Sequence, residues 1–575
     1  MIQTILGAIL YAVPFILIFN FKDKLRGLLY TSSLMIALHL SVAIFTQLFH
    51  VFTYGVVVAI HSIVAIACIT IFIRKEKFFE KFKFNWLILL ILIIVGFELS
   101  SVHYFYKGVV NDIGGLNAVS RDFYPYPHYS DEWAGISLAD WTIREGSLPL
   151  VNSLRENEPF ANGLVVFYSL ISEFFLLLNI APLFGWSFFA IVNGLMIAFL
   201  LYLLLRANEV SKFSSAMAAL SLPLIVNGVN LSGIWFLTPH IFALSIFLLS
   251  LVSFSKKEFR IGVFQSLVCL ALYPPIMVFV IPTFLAYIFQ NKVSKKYVFA
   301  LLIPAIAVSS FVFLTIGFSN TFLQIRYWLT RPNPDGGIIS LPIWIVIPFL
   351  ILPFIAAGII ELKKRKSYVL LVPVLIGLIF WAIYSFYDGI IIVDQSRAVA
   401  ITAILLMIPA GIGFERLLSF RKKFTPILKT SFVLIFISTT FFYPVSNAWS
   451  KFSLSIEKDG TTQKYQSSAP ITRYLHPDDL KLFNGITEKV FISPSWKGLV
   501  IGAATHNYPL DSKSSTITNK FVSYAYFMKA PCIEKQGISG YFNLEYVYSS
   551  KFECPDFIEI GRSAENLYLY RFQNK

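Results

Sequence analysis

Apolar residues run along this chain in blocks of roughly 17 to 25, each long enough as a helix to cross about 30 Å of hydrocarbon. "WLILLILIIVGFELSSV" (86–102) and "ISLPIWIVIPFLILPFIAAGII" (339–360) are two such blocks. The pattern predicts spans at 2–20, 28–48, 51–73, 85–102, 184–205, 213–230 and 239–254. The stretch 261–291 has basic residues at both ends, and "LYPPI" (272–276) divides it into two short helices, because proline ends the helix it interrupts. Further spans are expected at 297–318, 340–360, 368–387, 396–414 and 426–444, which makes about fourteen transmembrane helices in a polytopic α-helical membrane protein. The first block has no basic leader and no small-residue cleavage site, so it reads as a retained helix. After Pro444 the pattern changes to polar sequence with alternating runs, "KVFISPS" (489–495), "LEYVYSS" (544–550) and "NLYLYRF" (566–572). These are strand signals, and 445–575 is expected to be a soluble mixed α/β domain.

Charge fixes the direction of threading. Of 575 residues 57% are hydrophobic, 17% aromatic and 14% charged, against about 25% charged in a soluble domain. The formal net charge of +15 does not mark a nucleic-acid binder, because the basic residues fall in short clusters between apolar blocks. "KDKLR" (22–26), "RKEKFFEKFK" (74–83), "SKKEFR" (255–260), "KVSKK" (292–296), "KKRK" (363–366) and "RKK" (421–423) mark cytoplasmic loops. With these inside, the N-terminus lies outside and the chain emerges outside after residue 103. A crossing at "ANGLVVFYSLISEFFLLLNI" (161–180) would invert every later cluster, so this segment is expected to lie along the outer surface. Its Asn162, Ser169, Ser172 and Glu173 suit an interfacial helix. The expected divisions are N-terminal helices 1–102, an external loop 103–183, a bundle 184–444 and an extracytoplasmic domain 445–575, on a protein of the plasma membrane. Cys532 and Cys554 both fall in that domain and are expected to form one disulfide, the alternative being two unrelated thiols.

The external loop carries the stretch "HYSDEWAGISLADW" (128–141), in which Asp131 and Glu132 stand among Tyr124, Tyr126, Tyr129, Trp133 and Trp141. Asp131 opens a helical pattern, where backbone amides favour a carboxylate. Asp140 reads as the solvated face of the same helix. At the outer end of the span 396–414 stands Arg397, following "YDGIIIVDQ" (387–395). A guanidinium there suits a lipid phosphate, since its fork donates two hydrogen bonds and stays charged. Arg326 and Arg331 in "QIRYWLTRPNPDGG" (324–337) and His240 in "TPH" (238–240) are further candidates. Asp388 and Asp394 pair Arg397 or bind a divalent cation, and their spacing is not that of a recognisable metal motif.

An acidic pair in the first large external loop resembles the GT-C superfamily of membrane glycosyltransferases, which includes protein O-mannosyltransferases, aminoarabinose transferases of lipid A and oligosaccharyltransferases. The local likeness is to the mannosyltransferase Asp-Glu motif with its following aromatic helix, glycine and proline turn, here Asp131, Glu132, Trp133, Gly146 and Pro149. The His-Pro-Pro segment of that family is absent, and "RENEPFANGL" (155–164) stands in its region. The first three helices look like an addition before the usual core. The resemblance implies transfer of a sugar from a polyprenyl-phosphate donor to a hydroxyl of a glycan, lipid or protein acceptor at the outer leaflet. It implies Asp131 as general base, Glu132 for acceptor or metal, Arg397 for the donor phosphate, and Tyr129, Trp133, His240 and Tyr273 as substrate lining.

Two other classes compete. An O-antigen-type polymerase or ligase is also polytopic with outer arginines, but is not expected to end in a soluble domain of this size. A lipid-linked sugar transporter or flippase predicts ionisable groups at mid-membrane, whereas these spans read as nearly free of acids.

Overall fold

The computed structural model describes residues 2–76, 86–112, 115–127, 129–160, 162–225, 233–293, 343–386, 392–419, 474–512, 522–563 and 566–573, with the strands 455–459 and 462–466 and three isolated residues besides. Among the described residues, seven helical segments are long and apolar enough to cross a membrane. They contain α1 (Ile2–Ala12), α2 (Lys24–Leu48), α3 (Tyr54–Arg74), α4 (Trp86–Tyr104), α7 (Pro182–Ala207), α11 (Met277–Asn291), and the consecutive helices α14 (Gln395–Leu405) and α15 (Met407–Ser419). Shorter apolar helices join them: α8 (Lys212–Leu220), α9 (Pro239–Ser255), α10 (Phe259–Leu272), α12 (Leu352–Lys364) and α13 (Tyr368–Tyr384). The two short helices expected within 261–291 are α10 and α11, separated at Tyr273–Ile276. The expected spans 297–318 and 426–444 lie outside the described residues.

Close packing in the bundle relies on missing side chains. Where α12 crosses α15, a Cβ on Gly358 would meet the Pro409 carbonyl oxygen at 1.8 Å, and one on Gly413 would meet that of Phe354 at 1.8 Å. Backbones that approach so closely need glycine, the usual device for helix contacts in a bilayer.

Polar contacts sort the loops into two sets. Arg26 pairs with Glu258 at 2.8 Å, Asn208 donates to Ser255, Ser214 donates to Glu415, and Arg416 and Arg365 both pair with Glu361. This set contains the clusters 22–26, 255–260 and 363–366. The opposite set joins the α2–α3 loop to the segment after α4, through His50 and Ser147 at 2.8 Å.

Between α4 and α7 come the hairpin β1 (Phe105–Asp112) and β2 (Gly115–Phe123), then α5 (Ser130–Glu145) and α6 (Val165–Leu178). Gly146 ends α5 at φ 64°, a left-handed cap that glycine adopts without a Cβ penalty. The expectation for 161–180 needs correcting in one respect: α6 does not carry a wetted polar face. Ser169, Ser172 and Glu173 are fully buried, because their partners lie inside. Gln47 donates to the Ser169 carbonyl, Ser172 donates to that of Tyr168, and Glu173 meets two histidines. The bundle is also less free of acids than it reads, since Glu98 on α4 is buried as well.

The C-terminal domain is a five-stranded mixed sheet. Numbered in chain order its strands are β3 (Val490–Ile492), β4 (Tyr508–Pro509), β5 (Leu544–Ser549), β6 (Phe557–Arg562) and β7 (Tyr568–Phe572), in spatial order β6-β7-β5-β3-β4. β3 pairs in parallel with β4 and β5, and β7 antiparallel with β5 and β6. Helices α16 (Pro477–Leu482) and α17 (Ser495–Thr505) belong to this domain. Cys532 and Cys554 form the expected disulfide, with Cα atoms 5.7 Å apart.

Candidate active site

α5 presents its N-terminus to α14. Asp131 Oδ2 lies 3.2 Å from an Arg397 terminal nitrogen, across 266 residues of sequence. Both side chains are partly open, 28% exposed for Asp131 and 22% for Arg397. Asp394 caps α14: its Oδ1 accepts from the Arg397 backbone N–H at 3.0 Å, and its Oδ2 lies 3.1 Å from Arg397 Nε. One carboxylate therefore holds both the backbone and the guanidinium of Arg397, leaving the terminal nitrogens to project toward Asp131. Tyr273, from the break between α10 and α11, stands beneath, its ring centre 6.0 Å from the guanidinium carbon. His240 at the start of α9 packs 5.8 Å from that ring.

Glu132 has a different environment. Its side chain is wholly buried, Oε1 accepts from the Leu237 N–H at 2.9 Å, and Oε2 reaches back to the Tyr129 N–H at 3.4 Å. Burial pushes its carboxyl up to about 8, against the pull of those two amides. It joins α5 to the segment before α9 and does not face the cleft that Asp131 and Arg397 share. Adjacent positions on a helix point about 100° apart, which is why one acid is open and its neighbour is a tie.

The predicted lining residues divide similarly. Tyr129 is half-buried and stacks on Phe236 at 5.3 Å. Trp133, His240 and Tyr273 are buried, so they form the wall behind the cleft rather than its surface. Arg326, Arg331 and Asp388 lie outside the described residues. Asp140 is half-buried and engaged rather than freely solvated: it pairs with His506 at 3.2 Å, and burial raises its carboxyl despite His506 and Arg144 nearby. Three more contacts join this loop to the C-terminal domain. Arg155 donates to the Leu510 carbonyl at 3.1 Å, the Leu475 N–H donates to the Tyr124 hydroxyl at 3.0 Å, and Arg144 lies 3.5 Å from Glu488. Burial lowers Arg155 to about 10.

As for a metal, Asp131 and Asp394 converge on one guanidinium, and among the described residues no third metal-ligating side chain stands with them. The one cluster of three such groups found among those residues is elsewhere, at His39, His61 and Glu173. Neither histidine drew notice in the sequence. Two histidines inside apolar blocks, at positions 39 and 61, were the available signal.

No protein-family model matches this chain, and no curated protein does. Among solved structures it is similar to the oligosaccharyltransferase AglB of Archaeoglobus fulgidus in complex with an inhibitory peptide and a dolichol-phosphate. That likeness has a TM-score of 0.46 at 13% identity, covering 81% of this chain and 69% of the other. It is also similar to the Archaeoglobus fulgidus oligosaccharyltransferase tethered to an acceptor peptide containing the NVT sequon, with a TM-score of 0.45, 14% identity, and 83% and 70% coverage. The same archaeal enzyme in complex with zinc and sulfate gives a TM-score of 0.45 at 14% identity, covering 80% and 68%.

Proposed function

We propose that this protein is a membrane glycosyltransferase that moves a sugar from a polyprenyl-phosphate-linked donor to an acceptor hydroxyl on the outer face of the membrane. The observation that carries the reading is the Asp131–Arg397 apposition in a partly open cleft. It supplies a carboxylate and a fixed cation side by side, at the end of the bundle opposite the basic clusters.

Without donor, Arg397 neutralises Asp131. A phosphate entering the cleft competes for the terminal nitrogens of Arg397, while Asp394 keeps the guanidinium in place. Asp131 is then released as a base. The acceptor oxygen forms its bond to the anomeric carbon as its proton passes to Asp131. The bond from that carbon to the phosphate oxygen breaks, and the polyprenyl phosphate leaves with the electron pair, its charge held by Arg397. Glu132 acts as a positioning residue, fixing α5 against the Leu237 segment. The soluble domain, outside in this topology, covers the loop through Asp140, Arg144 and Arg155 and is suited to guiding an acceptor.

The test is transfer by the purified full chain in liposomes, using a polyprenyl-phosphate sugar and a survey of glycan, lipid and protein acceptors. Release of polyprenyl phosphate that depends on acceptor and on Arg397 supports the reading. No release with any donor–acceptor combination, together with sugar-lipid moving between leaflets, would transfer the case to a transporter.

A further inference from the structure

We infer that His39, His61 and Glu173 form a binding site for one divalent transition-metal ion, of the zinc class, within the bundle and apart from the Asp131–Arg397 cleft. Each ligand comes from a different helix: His39 from α2, His61 from α3 and Glu173 from α6. His39 Nδ1 lies 2.7 Å from Glu173 Oε2, and His61 Nε2 lies 2.7 Å from Glu173 Oε1. The donor atoms all lie within 4.8 Å of one another, and the three side chains are at most 2% exposed. A four-coordinate zinc with bonds of about 2.0–2.2 Å sets its donors ~3.3 Å apart, so the observed set needs only small side-chain shifts to enclose it. Two imidazoles and one carboxylate is an established zinc ligand set that leaves a fourth position open.

The surroundings make a cation useful. His39 is nine residues from the end of α2 and His61 seven residues into α3, roughly 10–14 Å below the helix ends. Phe174 and Tyr11 pack on His39, at ring distances of 4.7 and 5.3 Å. A carboxylate between two neutral imidazoles in such a wall is a buried negative charge, which is costly unless compensated. A divalent ion supplies the missing charge and cross-links three helices. Glu173's neighbour Ser172 donates to the Ala139 carbonyl of α5 at 3.4 Å, so the ion would brace the helix on which the acidic loop rests. This inference stands independently of the transferase reading.

The experiment uses full-length protein purified in detergent with a non-histidine tag, loaded with Zn²⁺, desalted and analysed by elemental mass spectrometry. About one equivalent of zinc should be retained, and Co²⁺ in its place should give the visible bands of a four-coordinate ion. His39→Asn and Glu173→Gln should each lose the ion. His61→Cys, which keeps a ligand, should retain it, as should Asp131→Asn. Absence of retained metal in the folded wild type would overturn the site, leaving a hydrogen-bonded His–Glu–His tie. Retention in monodisperse His39→Asn, or loss in Asp131→Asn, would also overturn it by placing the ion elsewhere.

Discussion

Arg397 and Asp131, 266 residues apart in sequence, meet at 3.2 Å, and Asp394 grips the same guanidinium from the other side. The arginine is thus held before any phosphate arrives. If Asp131 is the base, Asp131→Asn should lower turnover by about 10²–10⁴-fold while donor affinity holds or tightens, because the variant loses both the proton acceptor and the carboxylate that competes with phosphate for Arg397. Arg397→Lys keeps the charge and loses the fork, so donor affinity should weaken by roughly 1.5–3 kcal/mol. Transfer kinetics and equilibrium binding of a polyprenyl phosphate separate the two effects. Wild-type turnover in Asp131→Asn would remove the assigned base.

Glu132 should reveal itself in the pH dependence of stability. Its folded-state value is raised from 4.5 to about 8, so the folded protein prefers the neutral acid. The stability this contributes is fully present below 4.5 and lost as pH rises through about 8. Glu132→Gln is neutral throughout and can still accept the Leu237 N–H, so its apparent melting temperature should fall less than that of wild type between pH 5 and 8. Parallel curves for the two proteins would contradict the buried placement. Glu132→Ala orphans the Leu237 amide and should destabilise by about 1–3 kcal/mol.

The contrast between these acids shows what the sequence could carry. Apolar block length made the helices of membrane-spanning length legible, and the acidic loop stood out by its tyrosines and tryptophans. The helix opening at Arg397 could be read as an outer start because the basic clusters set the direction of threading, whereas the cap that Asp394 places on it could not. What could not be read was inward direction. The polarity of Ser169, Ser172 and Glu173 is the same whether they face water or one another, and only packing against α2 and α3 decides. The partner of Asp140 is hidden from the sequence for the same reason: His506 belongs to a domain 366 residues further on.

That partnership gives a prediction about domain docking. Asp140 and His506 are both partly exposed, so Asp140→Asn should cost less than about 1 kcal/mol. Arg155 is buried and donates to the Leu510 carbonyl, so Arg155→Ala should cost about 1.5–3 kcal/mol and loosen the C-terminal domain. Limited proteolysis of detergent-solubilised protein reads this directly. The soluble domain should be released faster from Arg155→Ala than from Asp140→Asn. Equal release from both would mean that the domain is held elsewhere.

Topology can be tested at positions whose side chains are open. Glu156 and Asn484 are exposed at the end of the bundle that carries α5 and the soluble domain, and Lys364 is exposed in a basic cluster at the other. Val500, by contrast, is wholly buried and would not report. The four native cysteines do not compete strongly: Cys68 and Cys269 are buried, and Cys532 and Cys554 are joined. With the basic clusters inside, Glu156→Cys and Asn484→Cys should react with a membrane-impermeant thiol reagent in intact cells, and Lys364→Cys only after permeabilisation. Labelling of Lys364→Cys alone in intact cells would invert the orientation. Asp131 and Arg397 would then face the cytoplasm, and an outer-leaflet donor could no longer reach them.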